Sequence, residues 1–454
     1  MQIDGRRENA SVLVIVLWIC IGLVTIGLYF ANSMTYELRA ADNRVSGIAA
    51  DQAIEGAARY VGYFLANYST NGVFPTNVNF TCENVPVGDA HYWIIGRDPN
   101  GDDPGELHFG LIDEGSKLNL NTANTNTLSY LPNMTMDFAQ AILDWRGTNG
   151  AVSLDYASLG YLSKNASFET VDELRLVYGA DMNLLAGDDL NRNGVLDANE
   201  KDLNGNGELD PGLFEYATVY TREPNFHSDG TTLTNASTAT VSELTSLFRD
   251  DDVSSPDTRA NAIYSYTHPG GRTTPPGQVR TFAGLLQFAV FCRQSGMSLS
   301  DFAKIYNDVT TSTNTYMRGR VNVNTASADV LIALFEGLNN GNEQTADADA
   351  QTLINYREQN PGNINSIAWV YDALGGGNST LTALERGDYI TTHSFQFTAD
   401  IAAVGPFGRG YRRVKFIFDT SNGTPEIIYR QDLSRLGWAL GEKVRQNLLA
   451  QNTQ

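Results

Sequence analysis

Two consecutive stretches decide the fold: "VLVIVLWICIGLVTIGLYFA", Val12 to Ala31, and "MTYELRAADNRVSGIAADQAIEGAARYVGYFLANYS", Met34 to Ser69. The first carries no charge over 20 residues, about 30 Å as a helix, which matches the hydrocarbon thickness of a bilayer. It is longer than the apolar core of a cleaved signal peptide. A cleavable signal ending at the small residues Ala31-Asn32-Ser33 is the alternative. Arg6 and Arg7 precede the span, and Arg39 and Arg44 follow it, so charge orients it weakly. No later segment is apolar enough to cross again, which places the bulk of the chain on one side.

The second stretch spaces apolar residues helically: Leu38, Ala41, Val45, Ile48, then Ile54, Ala57, Val61, Phe64/Leu65 and Tyr68. One helix is therefore expected from inside the membrane to about Tyr68, with an amphipathic outer half that needs a surface to cover. Strands supply candidates. His91 to Ile95 ("HYWII") and Glu106 to Asp113 ("ELHFGLID") read as extended, as do the alternations Phe395, Phe397, Ala399, Ile401 and Val414, Phe416, Phe418. The turns "GPFGRG" and "SNGTP" join the last of these into a meander. One sheet built from both ends of the chain and packed on the long helix is the economical arrangement.

At 454 residues, 42% of them hydrophobic, the chain can build several cores. Its net charge of −21 repels phosphate backbones and excludes nucleic acid as a favoured partner. Cys20 lies in the apolar span, leaving Cys82 and Cys292 either as a pair or as two free buried thiols.

The middle of the chain repeats itself. "NLNTA" at Asn119 to Ala123 returns as "NVNTA" at Asn322 to Ala326, and "AQAILDWR" at Ala139 to Arg146 returns as "AQTLINYR" at Ala350 to Arg357. In each copy the Asn/Thr pair is expected to cap a short helix, and a second helix ends in an aromatic residue beside Arg. The first copy continues into "SFETVDELRLVYG", where Thr170 and Glu173 fit a capping box and Gly179 a helix C-cap. These units resemble helix-hairpin-helix modules. Their loops, "LPNMTMD" and "FEGLNNGNEQTADAD", are glycine-free or acidic, so packing is expected in place of DNA contact.

Between the copies stands "DDLNRNGVLDANEKDLNGNGELDPG", Asp188 to Gly212. Counting from Asp189, oxygen-bearing residues fall at positions one, three, five, nine and twelve: Asp189, Asn191, Asn193, Asp197 and Glu200. Gly194 is sixth, and the Val195 carbonyl is seventh. Alternate side chains then converge on a hard cation such as Ca2+, glycine permits the sharp turn, and the last Glu can chelate with both oxygens. A second run has Asp202, Asn204, Asn206, the Glu208 carbonyl and Asp210, but its twelfth residue is Leu213. It is incomplete unless Glu215 swings in. The loops nearly abut, so a fixed structural site that stiffens an acidic loop is expected, not a switch. The alternative is a solvated acidic loop.

No H-E-x-x-H, G-x-S-x-G or P-loop pattern occurs, and His91, His108, His227, His268 and His393 are scattered. No enzyme is expected.

The order of features, "SVLVIVLW", "YWII…GLIDEGSKLNLNTA", "DWRG", "FETVDELRLVYG", "YATVY", "RVNVNTA" and a C-terminal meander, resembles the general secretion pathway protein K family, the large minor pseudopilins of type II secretion. The resemblance implies a pilin-like α+β fold, with a long N-terminal transmembrane helix packed on an antiparallel sheet. Two helix-hairpin-helix/SAM-like α-helical subdomains and a calcium-binding loop interrupt it. It divides the chain into a prepilin leader 1–10, the N-terminal helix 11–68, a first β-part 69–117 and a first helical subdomain 118–187. Calcium loops 188–215, a strand plus polar and helical insertion 216–319 and a second helical subdomain 320–388 follow. The meander 389–432 and a tail 433–454 complete it.

The resemblance also implies cleavage by prepilin peptidase after Ala10, leaving Ser11 first, although Ala10 stands where the family has Gly. It implies a single-pass inner-membrane protein with its C-terminal bulk in the periplasm. Its implied partners are other minor pseudopilins, the pseudopilus and the inner-membrane secretion platform. Ile15 occupies the position where ordinary pseudopilins carry Glu; a tip subunit has no neighbour above it to pair that charge within lipid. Type IV pilus minor pilins share the helix-and-sheet platform and are the alternative; a membrane-anchored DNA-binding hairpin module is a more distant one. The stretch from about Arg222 to Arg318 departs from the pattern as an insertion. In it "RTFAGLLQFAVFCRQSG" and "SLSDFAKIYND" read as helices, and "THPGGRTTPPGQ" reads as a loop.

Overall fold

The computed structural model describes residues 6–68, 72–98, 105–147, 154–270 and 278–451. Helix α1 runs unbroken over Arg6–Tyr68, about 95 Å at the α-helical rise. The expected cut between Ala10 and Ser11 falls in its first turns, while residues 1–5 lie outside the described part. The apolar run from Val12 is exposed along its length and is long and apolar enough to cross a membrane.

The expected stripe divides in two. Leu38, Val45 and Ile48 remain exposed, whereas Ala50, Ala53, Ile54, Ala57, Ala58, Val61 and Leu65 are buried. The alanines let the backbone of α1 approach its sheet closely, so docking begins only near Ser46.

The sheet is antiparallel and draws on both ends of the chain. Its strands are β1 (Val85–Val87), β2 (Ala90–Ile95), β3 (Ile112–Asp113), β4 (Gln396–Gly405), β5 (Arg409–Asp419) and β6 (Glu426–Asp432), in the order β1-β2-β4-β5-β6, with β3 beside the far end of β4. The register pairs Phe397 with Phe418, Ala399 with Phe416 and Ile401 with Val414. These side chains pack with Tyr92 and Ile94 under α1. The continuous strand expected over Glu106–Asp113 is absent. Gly110, at φ 157°, breaks it, leaving a bridge at Phe109 and the two-residue β3. The turn "GPFGRG" is fixed by contact with α1: a Cβ on Gly410 (φ +69°) would lie 2.3 Å from the Gly47 nitrogen.

The opposite face has an apolar zone and a charged one. Trp93, Ile95, Ala402 and Val404 are covered by Trp438, Ala439, Leu440 and helix α6 (Gly441–Gln451). The C-terminal segment expected as a tail is therefore a second layer on the sheet. Thr398, Asp400, Arg413 and Lys415 form the charged zone, facing the middle of the chain.

That middle is one continuous helical core reaching from Leu118 to Ile390. In the first copy, α2 (Thr125–Ser129) and α3 (Met136–Arg146) form the hairpin; in the second, α4 (Ala328–Leu338) and α5 (Glu343–Gln359) do. The caps are Asn124 and Ser327, each one residue past the Asn-Thr-Ala motif, and not the motif itself. The motif has a different task. Arg146 donates to the Leu120 and Ala123 carbonyls, and Arg357 donates to the equivalent Val323 and Ala326 carbonyls. Both arginines are buried and turned inward, which denies them to phosphate and favours the packing reading of the repeat.

Each copy also closes with a parallel strand pair, Leu118–Asn119 with Ala217–Thr218 and Val321–Asn322 with Ile390–Thr391. The closing strand arrives about 100 residues later in the first copy and about 70 later in the second, a gap that the stretch 188–211 largely fills. "SFETVDELRLVYG" contains a 3-10 helix, Val171–Leu176, in which the Thr170 nitrogen donates to Glu173 at 3.0 Å. It ends at Val177, so Gly179 lies beyond the cap. The insertion holds the two expected helices, Leu285–Gln294 and Leu299–Ile305. It holds two more, Val241–Asp250 and Pro256–Thr267, in a stretch whose polar composition hid them. Most of "THPGGRTTPPGQ" lies outside the described residues. Cys82 and Cys292 are free and sit in separate cores, where burial pushes the Cys82 thiol up to about 11 and the Cys292 thiol higher still.

Candidate metal centre

The acidic stretch leaves and re-enters the first helical subdomain through one neck. The Asp188 nitrogen donates to the Asp210 carbonyl at 3.0 Å, and the Gly212 nitrogen to the Ala186 carbonyl at 2.9 Å. Gly187, at φ +62°, is needed there because a Cβ would fall 2.1 Å from the Asp210 carbonyl oxygen.

Within the excursion the two runs adopt the same local geometry. In the first, the Asn193 and Gly194 nitrogens donate to the two Asp189 carboxylate oxygens, each at 2.9 Å. Asn191 Oδ1 accepts from the Asn193 nitrogen, and Asn193 Oδ1 accepts from the Val195 nitrogen. Both amide groups donate to Asp197 Oδ2, at 2.6 and 2.9 Å. In the second, Asp202 accepts from Gly207, Asn204 from Asn206 and Asn206 from Glu208. The Asn204 and Asn206 amides converge on Asp210 Oδ2. The Asx-type bonds bend each chain back on itself.

The environments differ. Asp189, Asn191 and Asn193 are buried, whereas Asn204, Asn206 and Glu208 are exposed. The first run is therefore packed inside the molecule, and the second lies at its surface. Two arginines from the sheet hold the first run. Arg413, on β5, pairs with Asp400 through two bonds of 2.8 and 2.6 Å and donates onward to the Asn191 and Arg192 carbonyls. Arg97, just past β2, donates to the Arg192 and Asn193 carbonyls at 3.1 and 3.3 Å. Gly194 (φ +86°) leaves room for it, since a Cβ would lie 2.9 Å from Arg97 Cδ. From the other side, the amides of Asn191 and Asn193 also reach the Trp438 and Ala439 carbonyls, each at 3.2 Å.

The donors fit a hard cation. Three carboxylates, two amide oxygens and the Val195 carbonyl are all oxygen ligands, the chemistry of Ca2+ and not of a thiolate- or imidazole-seeking metal. Among the described residues no three His, Cys, Asp or Glu side chains gather by themselves, so such a site depends on the asparagines between the acids. Burial pushes the Asp189 and Glu200 carboxyls up, and the neighbouring acids push Glu200 further the same way. Half-buried Asp202 is instead held down by the Gly207 nitrogen.

Glu200 accepts from the Asn191 and Asp197 nitrogens at 2.9 and 3.1 Å and so already spans the first run. Glu215 does not close the second. Arg97 binds both its oxygens, at 2.9 and 3.0 Å, while Leu213, the twelfth residue, is buried in the helical core. The sequence reading passed over Asp188, whose Oδ2 is buried without a hydrogen-bond partner. It also passed over Arg97 and Arg413, for which no local pattern exists.

A cavity of about 470 Å3 opens beside Gly194, Glu215 and the start of α4. Asp113 at its wall is engaged by Asn322, Thr325 and Ser394.

No family model and no curated protein matches the chain. Among solved structures, it is similar at 14% identity to one chain of the crystal structure of the GspK-GspI-GspJ complex from the enterotoxigenic Escherichia coli Type 2 Secretion System. The match covers 47% of this chain and 78% of that one, with a TM-score of 0.18.

Proposed function

We propose that this chain is a minor pseudopilin of a type II secretion system, which forms with other minor pseudopilins the tip complex that initiates and caps the periplasmic pseudopilus. The observation that carries the reading is α1. Its first half is unburied and apolar, and the same unbroken helix then docks its alanine-rich half on a sheet. Such a helix offers lipid a span and offers sister helices a face, while the globular part is held at a fixed distance from the membrane. Prepilin peptidase would cut after Ala10, and Ile15 would spare a tip subunit an unpaired carboxylate in lipid.

In this reading the loops are a calcium brace. Asp189, Asn191, Asn193, Val195, Asp197 and Glu200 would hold one ion, which offsets the charge of the three carboxylates in the run. That stiffens the segment on which the sheet, the first helical subdomain and the C-terminal layer all converge.

N-terminal peptide mass spectrometry on protein from native membranes tests the assignment. A chain beginning at N-methylated Ser11 and co-purifying with other pseudopilins is expected. A chain still beginning at Met1 in cells with active peptidase would overturn it.

A further inference from the structure

A cavity of about 250 Å3 lies where the inserted stretch meets the turn between β5 and β6. Three buried polar atoms without a hydrogen-bond partner belong to residues that line it: Glu223 Oε1, Arg320 Nε and Ser421 Oγ. Those residues are only 9, 8 and 3% exposed. A buried polar group left unpaired is costly, so three at one cavity mark a missing polar partner. One water needs roughly 10–15 Å3, and the space therefore admits a whole side chain.

The charges at the wall favour a cation. Glu223 and Asp308 supply two carboxylates and Arg320 one guanidinium. That guanidinium is already shared, since it donates to Glu223 Oε2 at 3.0 Å and to Asp388. Burial holds the His393 imidazole below its ordinary pKa, so it adds no charge near neutral pH. His227 Nδ1 stands 3.5 Å from Asp308 and can at most cancel that carboxylate. An anion would be repelled here, whereas a cation gives Glu223 Oε1 its donor. Phe226, Tyr306 and Phe395 add aromatic wall, which suits both an aliphatic stem and the positive group it carries. Ser421 Oγ can accept from the same cation. Arg320 Nε still lacks an acceptor, which a peptide carbonyl beside a basic side chain supplies.

We propose that this cavity binds a Lys or Arg side chain of another polypeptide, with Glu223 as its counter-charge, Ser421 as a second acceptor and Arg320 Nε donating to a neighbouring peptide carbonyl. The chain's net charge of −21 draws basic partners toward it. The site does not depend on the pseudopilin reading, because the residues that form it include much of the stretch that departs from that pattern.

Methyl NMR of the full chain in detergent, labelled at methionine, tests this. Met317 lines the cavity, so its methyl resonance is the reporter. Acetyl-lysine methylamide should shift it saturably, at about millimolar concentration, and more tightly than n-butylammonium, which lacks the carbonyls. The uncharged acetyl-norleucine methylamide should leave it in place. Glu223→Gln should weaken binding about tenfold or more, and Ser421→Ala about threefold or more. Ser421 Oγ makes no bond in the free protein, so its variant keeps the test open should Glu223→Gln disturb the fold.

No Met317 shift with acetyl-lysine methylamide would mean that water bridges the three atoms and would overturn the proposal. Equal binding of the norleucine compound would show an apolar pocket and overturn it as well. If n-butylammonium binds as tightly as the lysine compound, the ligand is a free amine and not a polypeptide side chain. Unchanged affinity in folded Glu223→Gln or in Ser421→Ala removes the assigned contacts and overturns the site.

Discussion

Replacing Arg413 by Met tests how the sheet holds the oxygen-rich loop. The Arg413 side chain is 0% exposed and its partner Asp400 5%, so water does not screen the pair. Removing the guanidinium leaves the Asp400 carboxylate buried and unpaired, which costs about 3–5 kcal/mol in comparable pairs. It also strips a donor from the Asn191 and Arg192 carbonyls. Arg97 still serves Arg192, so the second loss adds roughly 1 kcal/mol. These terms overlap, and a total of about 4 kcal/mol is expected.

Amide hydrogen exchange on the full chain is the assay, because it reads local opening where a global melt of so large a chain is not two-state. Protection across 189–200 should fall on the order of a thousandfold. Arg413→Met combined with Asp400→Leu should recover most of the loss, since no charge is then stranded. A single variant costing under about 1 kcal/mol, or a double variant as weak as the single one, would refute the clamp.

Chelating calcium should raise exchange over 188–211 and over 438–448, whose carbonyls and layer meet the loop. The second repeat at 321–391 should be unaffected; uniform loosening would count against a local brace. Asp113 is pushed up to about 6 by burial. Its folded value lies above its unfolded one, so the stability it contributes is present at low pH and is lost as pH rises through about 6. The difference in stability between wild type and Asp113→Asn should therefore change between about pH 4 and pH 6, and a flat difference would contradict the burial of that group. Gly410→Val should detach the β4–β5 turn from α1, costing about 2 kcal/mol or more in thermal stability; unchanged exchange at Ser46 and Gly47 would show that the contact is dispensable.

The sequence alone determined whatever depends on near neighbours. A charge-free run of bilayer length needs no partner to be recognised, and alanines at helical spacing mark a face before anything is known to cover it. The alternating Asp and Asn residues with Gly194 and Gly207 bend their own backbone through bonds two to five residues long, which makes the loops legible in register. The doubled Asn-Thr-Ala motif revealed the duplication, but the partners of Arg146 and Arg357 came only with the fold. So did the C-terminal layer, the helices at 241–267 and the pairing of Glu215 with Arg97.

The tertiary structure also decided what stabilises the loop. Arg413 meets Asn191 across 222 positions, and Asn193 meets Ala439 across 246. Contacts at such separations leave no periodicity in the chain, because they are chosen by how the sheet, the helical core and the C-terminal segment pack and not by any residue's neighbours.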